Sequence, residues 1–373
     1  MNIYKIKDIV SFQNGFAFNS KDMGPTGTNI IKIKEVKNNK ITITESTQKI
    51  SNYDYDSMKK YLVNYNDILI ALTGDPTNKG SEESWVGRTA IYREKECALL
   101  NQRMCKIIPN TKYILPKYLY YYLISYPTLY TLASSAKGSA NQANISHKDV
   151  GELDISLPSI EMQQHIVDII GSLDDKIESN NKIIEKIDKL GLSKYKKIKN
   201  DFIDFNDFAN FEKGKEASSQ NYMSEKNNEN INFIRVKDLN SLTDTYISKT
   251  LDIPVAKPND VLISFDGAIG RINYGLVGAY SSGIYKVIPK FTNDYGILYW
   301  SLKDNTNQQI MLEHTNGTTI LHGSKSIKYL KIKKHLQDDI DYFNKIFDYS
   351  LNIKLQNKKL CELKKLYLKK FFG

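Results

Sequence analysis

Apolar positions along this chain fall into two patterns. In two long stretches they recur every three or four residues for many turns. Elsewhere they form short β-branched runs bounded by turn formers. The first long stretch is residues 157–198, LPSIEMQQHIVDIIGSLDDKIESNNKIIEKIDKLGLSKYKKI. Ile166, Ile169, Ile170, Leu173, Ile177, Ile184, Ile187 and Leu190 mostly follow alternating three- and four-residue steps. That spacing makes one narrow seam on a helix, not a broad core face. Asn180 sits on the seam, where a polar side chain sets register at some cost in stability. Pro158 disfavours the α region for Leu157, so the chain enters extended. Ser159 is placed to cap the first amides, and Glu161 adds a favourable charge to the first turn. About 26 residues of such helix extend roughly 39 Å.

The second stretch, residues 337–372, carries Ile340, Phe343, Phe347, Leu351, Leu355, Leu360, Leu363 and Leu366, interrupted by Asn357, Lys358 and Lys359. Two seams without internal proline predict a pair of helices packed on each other. The alternative is two amphipathic helices on separate cores. Among the short runs, IIKIKEV (30–36), ITITES (41–46) and NDILIALTG (66–74) predict strands. Residues 115–132 predict a helix broken near Pro127, and YGILYWSLKDNTNQQIML (295–312) is its later counterpart.

That counterpart belongs to an internal repeat. IKDIVSFQNG (6–15) resembles FNDFANFEKG (205–214), and IIKIKEV (30–36) resembles FIRVKDL (233–239). NDILIALTGD (66–75) resembles NDVLISFDGA (259–268), VGRTAIY (86–92) resembles IGRINYG (269–275), and MCKIIP (104–109) resembles IYKVIP (284–289). The order of blocks is kept, and each half closes with its long helix. The expected fold is therefore mixed α/β and duplicated, with two similar globular domains separated by two long antiparallel coiled-coil helices about a pseudo-two-fold axis. The expected boundaries are 1–156, 157–198, 199–335 and 336–373. The first half alone has the insertion PTNKGSEESW (76–85), and insertions sit in loops that carry recognition differences.

Composition narrows the class. The 373 residues have room for two or more cores, and 41% hydrophobic with 25% charged content is ordinary for a soluble globular chain. There is no run of eighteen apolar residues and no signal-peptide pattern at MNIYKIKDIVSFQNG, so a cytoplasmic protein is expected. Three scattered cysteines make no disulfide framework, and the absence of CxxC or HxxxH spacing argues against a structural metal. A net charge of +10 favours a polyanionic partner, with nucleic acid ahead of an acidic membrane.

Three features together resemble the specificity (S) subunits of type I restriction–modification enzymes: the paired NDILI and NDVLI strands, the GSANQANIS run at 138–146, and the LPSIEMQQHIV…SLDDKIE helix start. The resemblance covers essentially the whole chain. It implies two target-recognition domains reading a bipartite double-stranded DNA site, with the helices serving as ruler and as docking surface for two methyltransferase (M) subunits that restriction (R) subunits join. A helical spacer of this kind would match sites about one DNA turn apart, roughly 34–36 Å. It further implies that S-adenosylmethionine, ATP and Mg are held by those partners, with no cofactor bound by this chain. The second helix departs from the pattern, with KYLKIKKHLQDD where the Leu-Pro start would be, and NGTTILHGSKS replaces the Asn-Gln-Ala-Asn run.

No catalytic constellation is expected. An Asn/Asp-Pro-Pro-Tyr motif and a GxGxxG are absent, and residues 74–80, GDPTNKG, lack phosphate-loop spacing. The five histidines make no local pair, and Asp174-Asp175 read as a solvated helix flank. What remains is readout chemistry: cations and hydroxyls for phosphates, and Arg, Lys, Asn and Gln for base edges. Loops of these types recur at equivalent points. The candidate DNA-contacting residues of the first half are Gln13, Asn14, Asn19, Lys21, Thr73, Lys79, Arg88, Gln102, Arg103, Lys137, Ser139, Asn141, Gln142 and Asn144. Those of the second are Lys213, Lys215, Ser218, Gln220, Lys237, Arg271, Ser281, Asn316, Thr318, His322 and Lys325. Gly15, Gly138, Gly214 and Gly317 are expected to serve turns or to let backbone approach a phosphate. The candidate docking residues are Leu173, Ile177, Asn180, Ile184, Ile187, Phe347, Leu351, Leu360 and Leu363. The competing reading is a coiled-coil adaptor whose globular ends bind protein instead of DNA.

Overall fold

The computed structural model describes residues 2–77, 82, 84–139, 142–224, 226–240, 245–291, 294–315 and 322–373, with the Ser139 side chain excepted. Lys79, Asn141, Asn316, Gly317 and Thr318 lie outside the described residues, as does the Ser139 side chain. The chain forms two compact units. One comprises residues 1–175 with 362–373, and the other residues 176–361.

In the first unit, strand Ile68–Ala71 is central to a sheet ordered Val10–Asn14, Met104–Pro109, Ile68–Ala71, Thr89–Ile91, Lys40–Ile41 and Val36–Lys37. Its side chains are buried on both faces, which is why NDILIALTG is a continuous apolar run and not an alternating one. Ile68 and Ile70 join a core with Leu119, Leu123, Ile166 and Ile170. Leu69 and Ala71 face a second core with Ile31, Tyr92 and Met104. A second sheet runs Lys49–Ile50, Thr28–Ile31, Ala98–Leu100 and Leu62–Val63.

The second unit repeats this plan in the same register. Val10 pairs with Pro109 and Asn14 with Cys105 in the first unit; Ala209 pairs with Pro289 and Lys213 with Tyr285 in the second. Ala71 pairs with Met104, and Ser264 with Ile284. The parallel pairing of Ile30 with Leu99 recurs as Phe233 with Ala279. The two repeats seen in the sequence are thus one topology used twice, in a mixed α/β fold.

The long helices are Ile160–Lys197 and Gln337–Phe372. The Met162 amide donates to Ser159 Oγ at 3.4 Å, as the capping argument requires. The helices run antiparallel within the second unit, where Asn180 meets Gln356 and Asn357 while Lys194 meets Asp339 at 3.5 Å. Within the first unit, Asp174 holds Lys364 at 2.7 Å.

Several local expectations need correction. Leu190 is 52% exposed, and Leu363 and Leu366 are exposed as well, so the seam does not continue through them. At that level of the first helix, Gly191 makes room for the buried Trp300 indole, and the buried face runs through Ile187, Gly191 and Tyr195. Only Lys40–Ile41 of the ITITES region is a strand. The Thr44 amide turns to Thr47 Oγ1 instead of a ladder partner, as hydroxyl side chains do when they compete with sheet hydrogen bonds. IIKIKEV also breaks after Ile31, because the buried Glu35 carboxylate accepts the Lys32 amide and closes a 3-10 turn. The helix break near Pro127 is present as two helices, Pro116–Leu123 and Tyr126–Ser135, with Pro127 in the first turn of the second.

Candidate nucleic-acid interface

In the first unit four sequence-distant segments are sewn edge to edge by backbone hydrogen bonds. Gly15 N–H donates to Met104 O at 3.0 Å, and Gln102 N–H to Phe16 O at 2.9 Å. Leu72 N–H donates to Arg103 O at 2.9 Å, and Ile145 N–H to Leu72 O at 3.0 Å. Asn144 then pairs with Thr73 in a short sheet with Lys137–Ser139. The segments bearing Gln13 and Asn14, Gln102 and Arg103, Thr73, Lys137, and Gln142 with Asn144 are therefore brought together.

The second unit repeats the stitching. Gly214 N–H donates to Ile284 O at 2.9 Å, Phe265 N–H to Gly283 O at 3.0 Å, and Gly323 N–H to Phe265 O at 2.6 Å. Lys213, Lys215, Ser281 and His322 thus belong to adjoining segments. Gly15 and Gly214 are needed for a structural reason. A Cβ on either would lie 2.0 Å from Asn101 O or 2.2 Å from Ser281 O. Their close approach is to the protein's own backbone. Gly138 has φ +152°, and a Cβ there would lie 2.2 Å from Gln142 O, so it too meets the protein's own backbone.

Exposure sorts the candidates. Asn14, Asn19, Lys21, Gln102, Arg103, Lys137 and Asn144 are exposed in the first unit, and Gln13 and Gln142 half-buried. Lys213, Lys215, Ser218, Gln220, Lys237, Arg271, His322 and Lys325 are exposed in the second. Thr73 and Ser281 are buried, so neither hydroxyl forms part of an outer surface. Arg88 spends its guanidinium on Trp85 O at 3.0 Å and Val36 O at 3.1 Å, both distant in sequence or hidden in a turn. Arg271, whose carbonyl holds the equivalent ladder position, is exposed. Asn19 caps a 3-10 turn by accepting from the Lys21 amide, and Lys215 pairs with Asp252.

The docking candidates divide similarly. Asn180, Ile187 and Phe347 are buried inside the second unit and belong to its interior, not to a surface open to a second subunit. Leu173, Ile177, Ile184, Leu351 and Leu360 are partly exposed. A separate open cleft in the first unit is lined by Tyr65, Arg93, Lys117, Gln164, Asp168 and Asp175. Sequence reading missed it, because it joins a loop to a helix face about a hundred residues away.

Burial pushes the Cys105 thiol up to about 12 and the Tyr118 phenol up to about 12. His147 lies 3.2 Å from Asn14 Nδ2 and rests on the Phe12 ring. It follows Ser146, whose hydroxyl and amide both bond Asp149 and hold that carboxyl below its usual range. Among the described residues, no group of three or more His, Cys, Asp or Glu side chains could hold a metal ion. Among the same residues, no helix is long and apolar enough to cross a membrane.

The described residues thus form a duplicated α/β fold with polar loop clusters at equivalent points and two long helices. Residues 1–189 match the Type I restriction modification DNA specificity domain, and the chain belongs to that family. A putative type I restriction enzyme MjaX specificity subunit from Methanocaldococcus jannaschii is 30% identical over 199 residues, covering 52% of this chain and 44% of that one. The type I restriction enzyme HindI specificity subunit of Haemophilus influenzae is 34% identical over 110 residues, 29% of this chain and 23% of that one. The matches thus span less than half the length of these relatives. The crystal structure of a type I restriction-modification S subunit from M. genitalium shares the fold, with a TM-score of 0.53 at 16% identity over 100% of this chain and 96% of the other.

Proposed function

We propose that this chain is the non-catalytic DNA-reading subunit of a type I restriction–modification assembly. Each unit reads one half of a bipartite site in double-stranded DNA. The partly exposed faces of the long helices dock two methyltransferase subunits, and restriction subunits join that complex. S-adenosylmethionine, ATP and Mg belong to those partners, which carry out adenine methylation and cleavage in the cytoplasm. The observation that carries this reading is the duplicated loop cluster: the same backbone stitching presents exposed polar and basic side chains in both units, Asn14, Gln102, Arg103, Lys137 and Asn144 in the first and Lys213, Lys215 and His322 in the second. Such side chains supply phosphate contacts and base-edge hydrogen bonds.

The test is to express the chain with a type I methyltransferase subunit and map methylated adenines across a genome. A gapped motif in two parts is the expected outcome. Methylation at one continuous motif would overturn the two-headed reading. A chain that captures protein but no duplex at any salt concentration would instead support the adaptor.

A further inference from the structure

The hydrogen-bond ladders make Thr73 equivalent to Asp266, and Asn144 equivalent to His322. Ile145 N–H donates to Leu72 O just as Gly323 N–H donates to Phe265 O, and the residues one step further along each strand are these pairs. Asn144 lies opposite Thr73 in an antiparallel ladder, and His322 opposite Asp266 in an antiparallel bridge. Each pair is also joined through its side chains. Thr73 Oγ donates to Asn144 Oδ1 at 2.8 Å, and His322 Nδ1 meets Asp266 Oδ1 at 2.8 Å. In both, the inner member is the more hidden. Thr73 is 3% exposed, and the Asp266 side chain is 20% exposed against 62% for His322.

We propose that Asn144 and His322 are equivalent readout residues at the two half-sites, and that Thr73 and Asp266 are the positioning residues that aim them. This rests on the DNA-reading function proposed above. The chemistry follows from which atom each inner residue engages. Thr73 engages the Asn144 carbonyl oxygen, which leaves the amide N–H groups outward as donors. Those suit purine N7, guanine O6, thymine O4 or a phosphate. A carboxylate only accepts, so Nδ1 of His322 carries the hydrogen given to Asp266. In the neutral ring, Nε2 then faces outward as an acceptor. An acceptor finds no partner on a phosphate, and in the major groove it suits the exocyclic amine of adenine or cytosine. With that ring neutral, one fold position carries opposite hydrogen-bond polarity in the two halves. Duplication supplies two identical brackets, and a change of the pair changes what each bracket reads.

The experiment is selection from a pool of random-sequence duplexes with the full chain and its methyltransferase partner. Wild type and four variants are compared: His322→Ala, Asp266→Ala, Asp266→Asn and the double change Asp266→Thr with His322→Asn. His322→Ala is expected to lose about 10- to 100-fold discrimination at one adenine- or cytosine-preferring position of one half-site, with the other half-site unchanged. Asp266→Ala should lose the same discrimination, and Asp266→Asn should restore part of it, since its amide oxygen still accepts from Nδ1–H. The double change should move that position toward a base presenting an acceptor. A bipartite wild-type motif that none of these variants alters would overturn the inference and leave the proposed function standing. Failure of the wild type to enrich any duplex would overturn the proposed function itself.

Discussion

Lys354 shows how a single side chain couples a long helix to its domain. Its Nζ lies 3.5 Å from the centre of the Tyr274 ring and donates to Asn273 Oδ1 at 2.6 Å. Desolvation lowers its pKa from 10.5 to about 7, while Asp188 pulls upward and Lys303 downward. Below about pH 7 the folded state must bury the charge, and the full cost is present. Between about 7 and 10.5 the unfolded chain binds the extra proton, so this residue's cost falls as pH rises. Lys354→Met should therefore melt above wild type at pH 6, and the gap should shrink toward pH 10. Melting curves across that range check it; a gap independent of pH would contradict the depressed ammonium. A half-buried lysine beside an aromatic ring was invisible in the sequence, since Tyr274 and Lys354 are far apart along the chain. The turn-closing carboxylates were equally hidden. Glu35 and Asp238 hold the amides of Lys32 and Arg235, and neither residue type announces a buried cap.

Among the elements, the first long helix shows where propensity and packing disagree. Gly191→Ala would raise intrinsic helix propensity by about 1 kcal/mol. Yet the added Cβ would sit 2.1 Å from the Trp300 ring, which is fully buried and donates through Nε1 to Asp188 O at 3.3 Å. Overpacking of that kind costs about 1–3 kcal/mol. The variant should lower the melting temperature, as read by calorimetry; a higher one would mean that the indole has room to move. Asn180 was legible as the polar residue on the seam. Its Nδ2 donates to Gln356 Oε1 at 2.9 Å and Asn357 Oδ1 at 2.7 Å. Asn180→Ala should cost about 1 kcal/mol, seen as a lower denaturant midpoint with an unchanged slope. The strands were less legible. The ITITES alternation is that of a strand, but local hydroxyl bonds ended it after Ile41.

For the molecule as a whole, the proposed function makes two demands. Affinity for duplex should fall linearly on a log–log scale as salt rises, with a slope set by the number of phosphates neutralised. A salt-independent affinity in filter binding would exclude phosphate contact. Exchanging residues 1–156 for those of a relative should change one half-site only, and lengthening both long helices should widen the spacer between half-sites. Adenine-methylation mapping reads both; two changed half-sites, or an unchanged spacer, would count against separate reading heads on a helical ruler.

The chain's own order of residues sufficed for the duplication, the two long helices and the membership of loops in each half. Repeats and periodicity are local properties, and they survive without knowledge of what packs where. The direction each loop side chain faces was decided only on folding. Thr73 and Ser281 turn inward, Arg88 is held by the Val36 carbonyl, and Asn180, Ile187 and Phe347 are closed inside one unit. The reason is that each partner comes from a segment far away in sequence. Burial and hydrogen-bond satisfaction are set by those meetings and not by neighbours along the chain.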